Sequence, residues 1–94
     1  MALFAAIANP TRLTVLVALQ RLGPLSAGQL QDKTAVEQTA LSHQLRVLRQ
    51  AGLVAADRQG RKQIYRLADH HVAHIVEDAV SHATETSQSR RPPT

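Results

Sequence analysis

The sequence has no cysteine and no tryptophan, and a single tyrosine and a single phenylalanine among 94 residues. Without cysteine there is no disulfide framework, no thiolate metal site and no thiol nucleophile. So few aromatics leave little for stacking unpaired bases. On the basic part of the chain only Tyr65 could serve, which argues against single-stranded DNA or RNA as the partner. No apolar run approaches the ~20 residues of a membrane span. The opening MALFAAIANPTR lacks the basic leader, long apolar stretch and cleavage site of a signal peptide. The expectation is a soluble cytoplasmic protein with no membrane partner.

What is present suits one small domain. Apolar residues make up 44% of the chain, too many for disorder. A domain of this length buries a modest share of its surface, so a core shared with a second copy is plausible. The net charge is +4, but its distribution says more. Between Gln38 and Arg66 lie six cations (Arg46, Arg49, Arg58, Arg61, Lys62 and Arg66) against one acid, Asp57. Between Asp69 and Glu85 lie four acids and four histidines, with no lysine or arginine. A basic middle points to a polyanion, and an acidic, histidine-rich end points to a cation.

Local signals divide the chain into five helices and a hairpin. Residues 2–8 read as a short apolar helix. Asn9-Pro10 reads as an N-cap followed by proline at the first helical position, with Leu13, Leu16 and Val17 at helical spacing until Gly23-Pro24. Ser26 with Gln29 forms a capping box for a helix over Ala27–Lys33. Another helix begins near Glu37 and ends at Gln50, before Ala51-Gly52. Leu53–Arg58 and Lys62–Leu67 flank a Gln59-Gly60-Arg61 turn and predict a β-hairpin. Asp69 caps a last helix to Thr84, followed by a disordered tail over residues 86–94.

Two short-linked helices followed by a basic hairpin make a winged helix-turn-helix. Asn9–Leu13, Leu25–Leu30, Leu41-Ser-His-Gln-Leu-Arg-Val-Leu48, Ala51–Val54 and Tyr65–Leu67 resemble, in order and spacing, the ArsR/SmtB family. The resemblance covers roughly residues 3–85. It implies a mainly α fold with a small β-hairpin, a homodimer over residues 1–85 paired through its terminal helices, and a metal-sensing transcriptional repressor.

On the helix ending at Gln50, Leu41, Leu45 and Leu48 form an inward stripe, and Thr39, Ser42, His43 and Arg46 lie opposite. None of the latter is acidic, and each can donate a hydrogen bond. The resemblance puts this helix in the major groove of a double-stranded, palindromic operator. Gln38, Thr39, Ser42 and His43 would meet base edges. Arg46 and Arg49 would meet phosphates, and Arg58, Arg61 and Lys62 the backbone or minor groove. Glu37 departs from the family pattern, which has a neutral or short polar residue there. Its carboxylate suits the helix dipole but would repel a nearby phosphate.

The last helix points to a metal. His71 and His82 are eleven residues apart, about 20° of rotation on a helix, and Glu85 lies within about 40° of the same line. About 16 Å of rise separates the two histidines, so one helix cannot put both on one ion. In a symmetric antiparallel pair, His71 meets His82 of the second copy and Asp69 meets its Glu85, within one residue of the same register. Each ion then receives two nitrogens and two carboxylates, a set suited to Zn²⁺, Co²⁺ or Ni²⁺. The same four positions match the C-terminal-helix site of zinc and cobalt sensors in the family. The family's other site uses cysteines on the helix-turn-helix, and Leu25–Gly28 hold none, which excludes an arsenic- or cadmium-type thiolate sensor.

His70 and His74 are spare nitrogens for six-coordinate Ni²⁺, although His74 with Asp78 of the second copy reads more simply as an ion pair. Val72, Val76, Ala79, Val80 and Ala83 read as core and dimer packing. Two packed helices leave little room for a substrate cleft, so an enzyme is not expected. The alternative is a regulator of the same fold that senses no metal or is tuned by a protein co-regulator.

Overall fold

The computed structural model describes residues 9–89, with side chains described through Ser81. The helix expected over residues 2–8 lies outside them. Four helices and three short strands follow in the order α1 (Pro10–Leu22), β1 (Leu25–Ser26), α2 (Ala27–Thr34), α3 (Gln38–Gln50), β2 (Val54–Gln59), β3 (Lys62–Leu67) and α4 (His70–Ser89).

The helix boundaries come from side chains bonding to backbone close by in sequence. Asn9 Oδ1 accepts from the Arg12 amide at 3.1 Å, and Pro10 supplies the fixed φ of the first turn. Gly23, at φ +82°, ends α1 by donating its amide to the Leu19 carbonyl. The expected capping box is present at α2. Ser26 Oγ accepts from the Gln29 amide, and Gln29 Oε1 accepts from the Ser26 amide.

At the other end of α2, Ala35 adopts φ +58°, a left-handed conformation that glycine tolerates and a Cβ opposes. Ala35→Gly is therefore expected to stabilise the fold by about 0.5–1 kcal/mol, read as a higher midpoint in urea denaturation.

Three antiparallel strands pair in the order β1-β3-β2. Val54 faces Leu67 and Gln59 faces Lys62, which narrows the expected turn to Gly60-Arg61. Gly60 takes φ +62° at the first turn position, as a type II′ hairpin requires. Residues at the base of the wing are half-buried and those at its tip are exposed on both faces. That is why the hairpin's apolar alternation is incomplete. Two-residue β1 was not expected, because two residues carry no periodicity. Leu25 facing Tyr65 and Ser26 facing Ile64 tie the helix-turn-helix to the central strand of the wing.

A single apolar core joins the elements, and no polar or charged residue among those described is fully buried. Leu41, Leu45 and Leu48 of α3 enter it as their spacing predicts, with Leu30 of α2 and Leu53 and Val54 after α3. On α1 the buried residues are Val15, Leu16 and Leu19, whereas Leu13 and Val17 are half-buried. That helix is apolar on most sides, so spacing could not single out its inner face. Val72 and Val76 of α4 pack into the chain's own core, and Gln20 Nε2 donates to Glu77 Oε2 at 2.7 Å, holding α4 against α1. Ala79 and Val80 are half-buried; Ala83 lies beyond the described side chains.

The last helix continues to Ser89, past Thr84, so residues 86–89 are helical where a disordered tail was expected. No glycine or proline interrupts residues 84–89, and a helix already formed extends at little cost. Residues 90–94 lie outside the described part.

Candidate nucleic-acid interface and metal site

The outer face of α3 carries the expected polar set. Gln38, Thr39, Ser42, His43, Arg46 and Arg49 are all exposed, back to back with the buried leucines. Glu37 caps the helix. Its Oε1 accepts from the Thr39 amide at 3.0 Å and its Oε2 from the Ala40 amide at 3.1 Å. These backbone donors stabilise the ionised form and hold the Glu37 carboxyl below its ordinary range. The sign follows from linkage. The cap's contribution is complete above the ordinary glutamate range and is lost as pH falls through the lowered value.

Arg58, Arg61 and Lys62 surround the exposed wing tip. Among the described residues, none of Arg46, Arg49, Arg58, Arg61 and Lys62 has an acidic partner. Arg66 behaves differently. It pairs with Asp57 at 2.7 Å, and its Nη1 donates to the Leu67 and Ala68 carbonyls. The acid of the basic segment is therefore spent on the arginine nearest the core, leaving the outer cations free for a polyanion. Arg66 faces Ala55, so Asp57 is its diagonal neighbour. The hairpin register, applied to charge, would have shown this pairing from sequence.

Asp69, His70, His71 and His74 are exposed at the start of α4. Asp69 Oδ1 accepts from the Val72 amide at 3.0 Å, so this residue is the expected cap. Its other oxygen remains available as a ligand. His71 has no hydrogen-bond partner among the described residues, and Ile75, half-buried, lies one turn beyond it. Asp69 and His71 could each offer one donor to a metal ion, a carboxylate oxygen and an imidazole nitrogen. His70 instead borders a recess between α1, β3 and α4, together with Gln20, Arg66 and Asp69.

The positions of His82 and Glu85 lie on the same unbroken helix, and their side chains are beyond those described. No three histidine, aspartate or glutamate side chains gather into a metal-holding group within the chain, among the described residues. None of the described helices is long and apolar enough to cross a membrane.

Helices α2 and α3 with the β2–β3 wing define a winged helix-turn-helix of the DNA-binding type. Residues 9–56 match the model for the arsR family of bacterial regulatory proteins. The chain belongs to that family. It is 49% identical over 78 residues to the HTH-type transcriptional regulator NmtR of Mycobacterium tuberculosis, covering 83% of this chain and 64% of that protein. It is 45% identical over 83 residues to the HTH-type transcriptional repressor SmtB of the same species, covering 88% of this chain and 61% of that protein. The chain therefore spans less than two thirds of the length of these relatives. Its structure is also similar to the homodimeric winged helix-turn-helix DNA-binding domain of a Mycobacterium bovis protein. That match has a TM-score of 0.85 and 29% identity, and covers 99% of this chain and 85% of the other.

Proposed function

We propose that the protein is a homodimeric, cytoplasmic repressor whose affinity for a palindromic operator is set by a divalent transition metal. Each copy lays α3 in the major groove, with Gln38, Thr39, Ser42 and His43 toward base edges and Arg46 and Arg49 toward phosphates. Arg58, Arg61 and Lys62 on the wing add backbone or minor-groove contacts. Two antiparallel copies of α4 combine Asp69 and His71 of one chain with His82 and Glu85 of the other. Two such sets would hold Zn²⁺, Co²⁺ or Ni²⁺, the ion supplying a cross-link that favours one arrangement of the dimer. His70 and His74 are the reserve ligands for Ni²⁺.

One observation carries this function. Helix α4 is continuous from His70 to Ser89 and presents Asp69 and His71 to solvent at one end, about 16 Å of rise before His82. A half-site at each end of a rigid helix is completed by a second copy running the other way.

The test uses duplexes selected from a random pool by the metal-free protein, then retitrated with Zn²⁺, Co²⁺ and Ni²⁺. We expect one ion per chain and a loss of duplex affinity on the order of 100-fold, which corresponds to a coupling of about 3 kcal/mol. Stoichiometric metal with no change in duplex affinity, or no metal bound at all, would leave a regulator that senses something else.

A further inference from the structure

We infer that Arg66 is a positioning residue, which couples the start of α4 to the wing and so carries the response to metal. This role rests on the metal-responsive reading proposed above and gives it a route. Asp69 and His71 stand at the start of α4, whereas Arg58, Arg61 and Lys62 lie on the hairpin. Only Ala68 and Asp69 separate β3 from α4. Movement of Asp69 reaches the wing only if that short link is stiff.

Arg66 stiffens it by holding both sides. Its Nε donates to Asp57 Oδ2 on β2 at 2.7 Å. Its Nη1 donates to the Leu67 and Ala68 carbonyls at 3.4 and 3.3 Å. One planar guanidinium thus ties β2 to the two peptide units that precede Asp69. The carbonyl bonds are long and each is weak alone. A rigid fork shared among three acceptors restricts the link more than any one of them.

The backbone extends the same route to α3. The Ala68 amide donates to the Leu53 carbonyl, and the Leu53 amide to the Leu48 carbonyl, both at 3.0 Å. Asp57 directly precedes Arg58, the first of the wing cations. When Asp69 moves toward an ion shared with a second copy, the strand ends and α3 move with it. A slack link would absorb that motion.

The test is a double-mutant cycle in the full chain: Arg66→Met, Asp57→Ala and both together. The two side chains are 43% and 52% exposed, so losing the pair costs little stability, which urea denaturation checks. Each variant is titrated with Zn²⁺ and Ni²⁺, with and without a duplex selected by the unsubstituted protein. We expect one ion per chain throughout. The effect of metal on duplex affinity should fall from about 100-fold to about tenfold in each single variant, and no further in the double one. Arg66→Met removes a positive charge and Asp57→Ala a negative one, so any direct charge effect moves metal-free duplex affinity in opposite directions. A response lost in both is a loss of coupling. In the metal-free protein, Arg66→Met should also quicken amide exchange at Ala68 by about threefold.

A full metal response in either single variant, or unchanged exchange at Ala68, overturns the role of Arg66 alone. So does a double variant with no response left, because the two side chains then act separately, and so does an Arg66→Met chain that binds no metal. An unsubstituted protein whose duplex affinity ignores metal overturns the metal-responsive reading and this role together.

Discussion

Leu48→Ala is expected to destabilise the fold by about 3 kcal/mol, within the range for leucine truncation at a buried site. Leu48 is 0% exposed and belongs to the core cluster that also holds Leu16, Leu53 and Val54. Its carbonyl also accepts from the Leu53 amide at 3.0 Å, so the backbone at this residue closes the turn from α3 toward the wing. A domain of this size has on the order of 5–10 kcal/mol in reserve, and one cavity consumes much of it. Leu22, 54% exposed, is the control. Its truncation should change stability by less than about 0.5 kcal/mol. Urea denaturation at one fixed protein concentration separates the two, since any self-association would add equally to the apparent stability of both. Equal losses for both variants would mean that the inner face of α3 is not the one described.

His71→Ala is expected to weaken Zn²⁺ and Ni²⁺ binding by at least about 100-fold and to abolish the effect of metal on duplex affinity. The residue is exposed at the start of α4 with no side-chain partner among the described residues, so its loss leaves no buried gap, and the fold should persist. Acidification should act in the same direction on the unsubstituted protein, because protons compete with the metal for imidazole nitrogen. Isothermal calorimetry of His71→Ala beside His74→Ala distinguishes a ligand from a neighbour. If His74→Ala carries the larger loss, the ion sits on the solvent face of one helix and the shared site is wrong. Metal binding by His71→Ala equal to that of the unsubstituted chain would have the same consequence.

The parts legible in sequence are those in which cause and effect lie a few residues apart. Asn9, Ser26 with Gln29, and Asp69 each bond to a backbone amide three residues on, and each marks a helix start. The leucine stripe of α3 was readable because three buried residues recur at helical spacing on an otherwise polar helix. The same method failed on α1. There the apolar residues run round the helix, and the choice of Val15, Leu16 and Leu19 depends on which neighbours close over them. Strand β1 escaped for a related reason, since two residues become a strand only once β3 lies alongside. Arg66 counted as one more cation of the basic segment until the hairpin register set it diagonal to Asp57.

The order of the helices, their caps, the basic face, and the spacing that puts His71 and His82 on one side of a helix are all written along the chain. All of these follow from backbone geometry and charge along the chain. Tertiary structure decided which face of α1 is buried and how β1 joins the wing to the helix-turn-helix. It also turned Val72 and Val76 inward to the chain's own core, leaving Asp69 and His71 outside. Those outcomes depend on contacts between segments far apart in sequence, where burial and pairing are settled by three-dimensional neighbours rather than by period.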